Sequence, residues 1–173
     1  MATGLVWHER YMWHNTGRMA GPFWADAAGW MEPDIRHSEN VETKRRFKNL
    51  LEVSGLLDQL VLIKPRAATV EEICRFHTRE YVDRIAEQSA RFGGDASEAD
   101  GAPFGKGSYE VALLSAGGVI EAIDAVLDGK VQNVYALNRP PGHHALADNG
   151  MGFCIFGNAA IGALHARHAR GLD

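Results

Sequence analysis

The chain contains the stretch Arg139-Pro140-Pro141-Gly142-His143-His144-Ala145, whose residue types are unusual for a loop that serves packing alone. Pro140 and Pro141 each fix φ at about −65° and lack an amide hydrogen, so the backbone that approaches the histidines is stiff. Gly142 permits a conformation or a close approach that a side chain would block. Two adjacent imidazoles can combine a proton acceptor with a hydrogen-bonding partner near neutral pH. The stretch therefore indicates an acid–base site, with a polar surface loop as the alternative.

The segments around this stretch extend the pattern. Upstream, Val131 to Leu137 is a short apolar run that predicts a buried strand, and downstream comes Gly150-Met151-Gly152-Phe153-Cys154-Ile155-Phe156-Gly157-Asn158. Earlier in the chain, Gly107-Ser108-Tyr109-Glu110 opens a long apolar helix, and His37-Ser38-Glu39 precedes another helical pattern. This order of motifs resembles the zinc-dependent histone deacetylase family. The similarity is closest to class II members and to bacterial amidohydrolases of the histone deacetylase-like and acetylpolyamine type.

Two positions depart from the family pattern. Ser38 stands where the resemblance leads us to expect a proline, and Gly157 stands where we expect an asparagine. Gly157 bears on local packing more than on chemistry. The motifs that carry the resemblance, Arg139 to His144 and Gly152 to Cys154, are unaffected.

The periodicity of the chain predicts an α/β fold. Strands are predicted at residues 4–7, 60–63 and 131–137, and helices at 41–53, after Thr69, after Thr78, at 108–128 and at 155–170. This alternation is typical of a three-layer structure with a parallel sheet and helices on both faces. The glycine-rich residues 93–107 are predicted to be a long loop. The resemblance implies an arginase/deacetylase-like sheet that is incomplete here, and we interpret residues 1–173 as the amino-terminal portion of a single deacetylase domain.

Composition excludes several classes of function. The 173 residues carry a formal net charge of −4, which provides no broad basic surface for direct nucleic-acid binding. No stretch approaches the roughly 18 apolar residues of a membrane span. Cys74 and Cys154 have no short spacing that would suggest a disulfide framework, so a reduced, cytoplasmic protein is the simplest interpretation. A mildly acidic surface suits a cationic substrate.

The resemblance assigns roles to individual residues. His144 would be the general acid and base and His143 its electrostatic and hydrogen-bonding partner. Gly152 and Phe153 would form the wall of a substrate channel, and an acidic residue, Asp100 or else Asp95, would lie at its rim. The Zn²⁺ that the family uses would be bound by residues expected beyond Asp173, so this chain has no identifiable metal ligand. The implied substrate is an N-acetylated amine, either acetyl-lysine in a protein or an acetylpolyamine.

Other readings stay open at this point. The chain could be a catalytically inactive fragment that acts as an interaction module, and it could form a homo-oligomer. A ureohydrolase belongs to the same fold class but lacks the motif from Arg139 to His144. His165 and His168, three residues apart in the last predicted helix, are interpreted as a surface pair.

Overall fold

The computed structural model describes residues 2–16, 19–20, 23–24, 37–98 and 101–172. In chain order the elements are β1 (Thr3–Val6), a 3₁₀ helix (Glu9–Trp13), β2 (Met19–Ala20), β3 (Phe23–Trp24), α1 (Val41–Val53), a 3₁₀ helix (Leu57–Gln59), β4 (Val61–Ile63), α2 (Val70–Ile73), α3 (Arg79–Arg91), β5 (Gly94–Asp95), β6 (Pro103–Phe104), α4 (Ser108–Leu127), β7 (Asn133–Ala136) and α5 (Asn158–Arg170).

Three strands form the central sheet in the order β4-β1-β7, and both pairings are parallel. Leu5 in the middle strand lies between Leu62 on one side and Tyr135 on the other. The parallel α/β architecture predicted from the sequence is therefore confirmed. The prediction of a plain loop over 93–107 is wrong in part, because β5 and β6 pair as a short antiparallel hairpin within it.

Helices cover both faces of this sheet. Successive side chains of a strand point to opposite faces. Leu5 packs in a cluster with Leu51 of α1, whereas Val6 faces α4, where a Cβ on Gly118 would lie 3.1 Å from a Val6 methyl carbon. On that second side α5 lies against α4. The three layers of the predicted fold are thus α1, the sheet, and the α4–α5 pair.

Local sequence signals place the helix starts. The Asn40 side chain accepts a hydrogen bond from the backbone of α1, and the Thr78 side chain does the same for α3. Thr69 and Glu72 form a capping box at α2. Such side chains satisfy backbone donors that have no partner within the helix, so they mark where a helix begins.

Two large apolar side chains of α1 are exposed. Val41 and Leu51 are buried, but Phe47 is 39% and Leu50 is 61% exposed. Phe47 stacks on Tyr135 of β7, with ring centroids 5.5 Å apart, and Tyr135 is itself exposed. The helix overhangs the narrow sheet, and nothing in the described part of the chain covers its outer side.

The edge of the sheet at β7 is open in the described residues, where β7 pairs only with β1. Beside it, α4 and β7 border an apolar groove of about 340 Å³. The groove is lined by Val119, Ala122, Ile123, Val126, Leu127, Val134 and Ala136. None of the helices that the structure describes has the length and apolarity needed to cross a membrane.

Candidate functional site

The loop that follows β7 is anchored by Arg139, whose side chain is 1% exposed. Its Nε donates to both carboxylate oxygens of Glu39, at 2.9 and 2.8 Å, and its Nη1 donates to the backbone carbonyls of Tyr11 and His14. A buried guanidinium is tolerated when it is paired with a carboxylate and hydrogen-bonded. Arg139 therefore ties the histidine loop to the amino-terminal segments that carry Tyr11 and Glu39.

The proline and glycine of the motif are held by α4 and α5. Ser115 Oγ donates to the Pro140 carbonyl at 2.8 Å, and Asn158 Nδ2 donates to the same Ser115 Oγ at 2.9 Å. The Ala159 amide donates to the Gly142 carbonyl at 2.9 Å. A Cβ on Gly142 would overlap the Asn158 side chain, so the close approach requires glycine. The predicted stiffness of this loop thus comes from two helices as well as from its prolines.

The paired histidines project from this anchored loop into solvent. The rings of His143 and His144 lie with their centroids 4.2 Å apart at an angle of 54°. Both side chains are exposed. Neither ring has a hydrogen-bond partner among the residues that the structure describes. The two imidazoles are close enough to influence each other and open enough to meet a substrate.

Gly152 lies directly beside His144, and Phe153 follows it in the chain. A Cβ on Gly152 would sit 2.7 Å from His144 Cδ2, so the bare backbone of the glycine packs on the imidazole. Both residues have left-handed backbone conformations, with φ of 51° at Gly152 and 68° at Phe153. A non-glycine residue rarely adopts that conformation, and such strain concentrates at ligand sites. One of the three predicted substrate residues, Gly152, is therefore in contact with a predicted catalytic residue, and Phe153 is its neighbour in the chain.

His37 belongs to this site, although the sequence analysis used it only as part of a supporting motif. Its ring meets the ring of Phe153 edge to face, with centroids 4.9 Å apart. Its Nδ1 accepts a hydrogen bond from the Glu39 amide at 3.1 Å. The salt bridge between Glu39 and Arg139 explains this placement, because it brings the two segments together.

His14 lies beneath the site and is fully buried. Its Nε2 is 4.0 Å from Glu39 Oε2, and neither ring nitrogen has a hydrogen-bond partner in the described part of the chain. Burial holds the pKa of His14 well below its usual range, and the nearby Arg139 and His37 act in the same direction. His14 is therefore neutral at physiological pH and adds no cation to the site.

The described residues contain no group of three or more histidine, cysteine, aspartate or glutamate side chains that could hold a metal ion. Asp100, the predicted residue at the channel rim, lies outside the described residues. Its neighbour Gly101 accepts a hydrogen bond from the Phe153 amide at 3.3 Å. Asp95 uses its carboxylate to accept the amide hydrogens of Ser97 and Ala102, so it is committed to a turn.

The interpretation of His165 and His168 as a surface pair is wrong for His165. His165 is buried between α5 and α4, where its Nε2 lies 2.9 Å from an Asp124 carboxylate oxygen. Its other ring nitrogen is 3.0 Å from the Arg75 guanidinium. His168 is exposed, as predicted. The three-residue spacing places the two rings on adjacent but different faces of α5, and the contact with α4 decides which ring is buried.

Comparison with known proteins adds independent findings. A family profile described as "Histone deacetylase domain" matches residues 37–173. The chain is 44% identical over 173 residues to a histone deacetylase-like amidohydrolase of Pseudomonas aeruginosa. That alignment covers 99% of this chain and 44% of the relative. It is 33% identical over 177 residues to human polyamine deacetylase HDAC10, in an alignment that covers 99% of this chain and 24% of the relative.

A solved structure shows the same arrangement. The crystal structure of the HDA15 HD domain superimposes with a TM-score of 0.81 at 29% sequence identity. The match covers 98% of this chain and 44% of that one. The chain therefore spans less than half the length of the relatives that it matches.

Proposed function

Because this chain belongs to the histone deacetylase family, we propose that it is the amino-terminal portion of an amidohydrolase that removes acetyl groups from N-acetylated amines. The observation that carries the proposal is the exposed His143–His144 pair, packed against the strained Gly152–Phe153 turn on a rigidly anchored loop. Hydrolysis of an amide needs a group that takes a proton from water and returns it to the leaving amine. An imidazole suits both transfers.

His144 is the proposed proton carrier. A ring nitrogen of His144 accepts the proton of the attacking water and then protonates the amine that leaves. His143 lies beside it as the hydrogen-bonding and electrostatic partner. The Gly152 backbone, in van der Waals contact with the His144 ring, limits how far that imidazole can turn. The anchored loop thereby fixes the backbone that carries the imidazole, and Gly152 restricts the ring on one side.

Phe153 and Gly152 form the proposed binding wall, with Asp100 at its rim as the resemblance implies. A phenylalanine face packs well on the aliphatic stem of an acetylated lysine or an acetylated polyamine. The names of two relatives, a histone deacetylase-like amidohydrolase and a polyamine deacetylase, fit either substrate. The net charge of −4 favours a cationic amine over nucleic acid.

We include a zinc ion in the proposed mechanism, but we do not assign its ligands. The family is generally metal-dependent, and zinc chemistry would polarise the acetyl carbonyl and acidify a bound water. The described residues offer no ligand cluster that fits a metal, and we assign no zinc ligand among them. The 173-residue chain by itself is therefore expected to be inactive.

The open sheet supports this division of the domain. In the described residues β7 pairs only with β1, an apolar groove lies beside α4 on one face of the sheet, and the exposed Phe47–Tyr135 pair lies on the other face. Such features are typical of a layer that another segment covers. The matched relatives are more than twice as long as this chain. The same surface favours the second candidate, an inactive deacetylase-like fragment that acts as an interaction module. We place the protein in the cytoplasm, because Cys74 and Cys154 are free thiols.

The test is deacetylation by the intact protein. Purified protein is assayed on an acetyl-lysine reporter and on an acetylpolyamine, with metal content measured in the same samples. His144→Ala should lower activity by about 10²–10⁴-fold and leave the zinc content unchanged, because a proton carrier does not bind the metal. His143→Ala should cost less, and His168→Ala, an exposed histidine away from the site, should cost nothing. Full activity of His144→Ala would remove that residue from the mechanism, and an inactive, metal-free wild type would favour the interaction module.

A further inference from the structure

His77 contacts both ends of the segment that carries the Gly152–Phe153 turn. It lies just before α3 and is 3% exposed. Its Nδ1 is 3.0 Å from the Ala147 carbonyl, and its Nε2 accepts a hydrogen bond from the Gly157 amide at 2.9 Å. Because a backbone amide can only donate, Nε2 must be the acceptor and Nδ1 must carry the hydrogen. A single neutral imidazole thus links two backbone positions that are ten residues apart (157 − 147).

The surroundings of His77 keep its ring in this position. The ring stacks on Tyr81, with centroids 5.1 Å apart at 22°, and packs against Phe156 at 5.3 Å. Tyr81 adds a third link, since its hydroxyl donates to the Ile155 carbonyl at 2.6 Å. The Thr78 amide donates to the same Ala147 carbonyl as His77 does, at 2.9 Å. The start of α3 therefore holds this segment at three points.

We propose that His77 is a positioning residue that fixes segment 143–157, and through it the contact between Gly152 and the His144 ring. The proposal needs glycine at 157, because a Cβ there would lie 2.7 Å from the Phe76 ring and push the Gly157 amide away from His77. Gly157, which stands where the family pattern leads us to expect asparagine, thus permits the hydrogen bond to His77. The effect of His77 on catalysis rests on the function proposed above, whereas its effect on the position of the segment does not.

The charge state of the ring makes the link sensitive to acid. Burial lowers the pKa of His77 to about 4, and the hydrogen bond to the Ala147 carbonyl and the nearby Asp148 carboxylate partly oppose this. Tyr81 faces the ring as a neutral phenol, since burial raises its pKa. A protonated ring would point an N–H group at the Gly157 amide, so two donors would face each other and the bond would be lost.

Hydrogen–deuterium exchange of the intact protein tests the proposal without any need for activity. His77→Phe keeps an aromatic ring between Tyr81 and Phe156 but removes both backbone links. Exchange in peptides from 143–157, corrected for intrinsic rates, should accelerate by about 10- to 30-fold, whereas exchange in α4 stays unchanged. In the wild type the same segment should lose protection as pH falls from 6.5 towards 4, and His77→Phe should show no such pH dependence.

Two controls separate positioning from simple core filling. Tyr109→Leu perturbs the same aromatic cluster, since Tyr109 packs on Phe156 at 6.1 Å, but leaves both His77 links intact. His77→Asn keeps the donor to Ala147 and should restore part of the protection if His77→Phe folds poorly. Equal exchange changes in α4 and in 143–157, or identical behaviour of His77→Phe and Tyr109→Leu, would overturn the proposal. Absence of deacetylase activity in every sample would count against the proposed function alone.

Discussion

Replacing Gly152 by alanine tests the contact on which the proposed site depends. The backbone of Gly152 lies against the His144 ring, where an added Cβ would be 2.7 Å from Cδ2 and 3.2 Å from Cγ. Ordinary carbon–carbon contacts are about 3.5–4.0 Å, so the imidazole or the turn must move by roughly 1 Å. The left-handed φ of 51° adds about 1–2 kcal/mol of backbone strain for a residue with a side chain.

These two effects predict different outcomes for activity and stability. A displacement of about 1 Å at a catalytic group can cost about 10²-fold in rate. We therefore expect Gly152→Ala to lower the deacetylation rate of the intact protein by about 10²-fold. We expect the free energy of unfolding to fall by only about 1–2 kcal/mol, since the His144 side chain is exposed and can turn aside.

Gly55→Ala is the matched control for this substitution. Gly55 has a left-handed φ of 72°, but nothing lies within 4 Å of the position that its Cβ would occupy. It therefore carries the backbone strain without the contact to the histidine. The measurements are steady-state deacetylation and urea unfolding of both variants. If Gly152→Ala kept wild-type activity, or lost no more of it than Gly55→Ala, the reasoning about the Gly152–His144 contact would be refuted.

Three further predictions follow from the described contacts. Arg139→Met should lower the free energy of unfolding by about 3–5 kcal/mol in urea melts, because it leaves the Glu39 carboxylate buried without its partner. Arg79→Met, which breaks an exposed pair, should leave the midpoint of the urea melt nearly unchanged. His77 stabilises the fold fully above its usual pKa of 6.5 and loses this contribution as pH falls towards about 4, so melts between these values should show a loss of up to about 3 kcal/mol that His77→Phe lacks. The 173-residue chain expressed alone should self-associate or melt without cooperativity because its β7 edge and groove are open; a monomer with one sharp transition by sedimentation and calorimetry would contradict this.

Local signals in the sequence were sufficient for much of the fold. Asn40, Thr69 and Thr78 each precede a helix that begins where predicted. Apolar runs marked the three strands of the sheet, and the alternation of strands and helices indicated their parallel order. These features are local, because a cap or a strand depends on residues a few positions apart. The proline–glycine–histidine motif likewise identified the family from a short stretch.

The sequence did not reveal which distant residues support the site. Nothing in the spacing of His77 indicates that it links Ala147 to Gly157, and His37 showed no sign of packing on Phe153. The roles of His143 and His144 in catalysis, and of Gly152, Phe153 and Asp100 in binding, stay predictions. The structure brings all of these together except Asp100, which lies outside the described residues.

Residue types within a short window were enough to predict the α/β class, the helix starts, the family and the histidine motif. The packing of distant segments was needed to show that Arg139 pairs with Glu39 across 100 residues, that His165 is buried while His168 is not, and that Phe47 is exposed. Those outcomes depend on which surfaces meet when the chain closes on itself. Whether a side chain is buried depends on which other layer of the fold packs against it. A local sequence pattern does not contain that information.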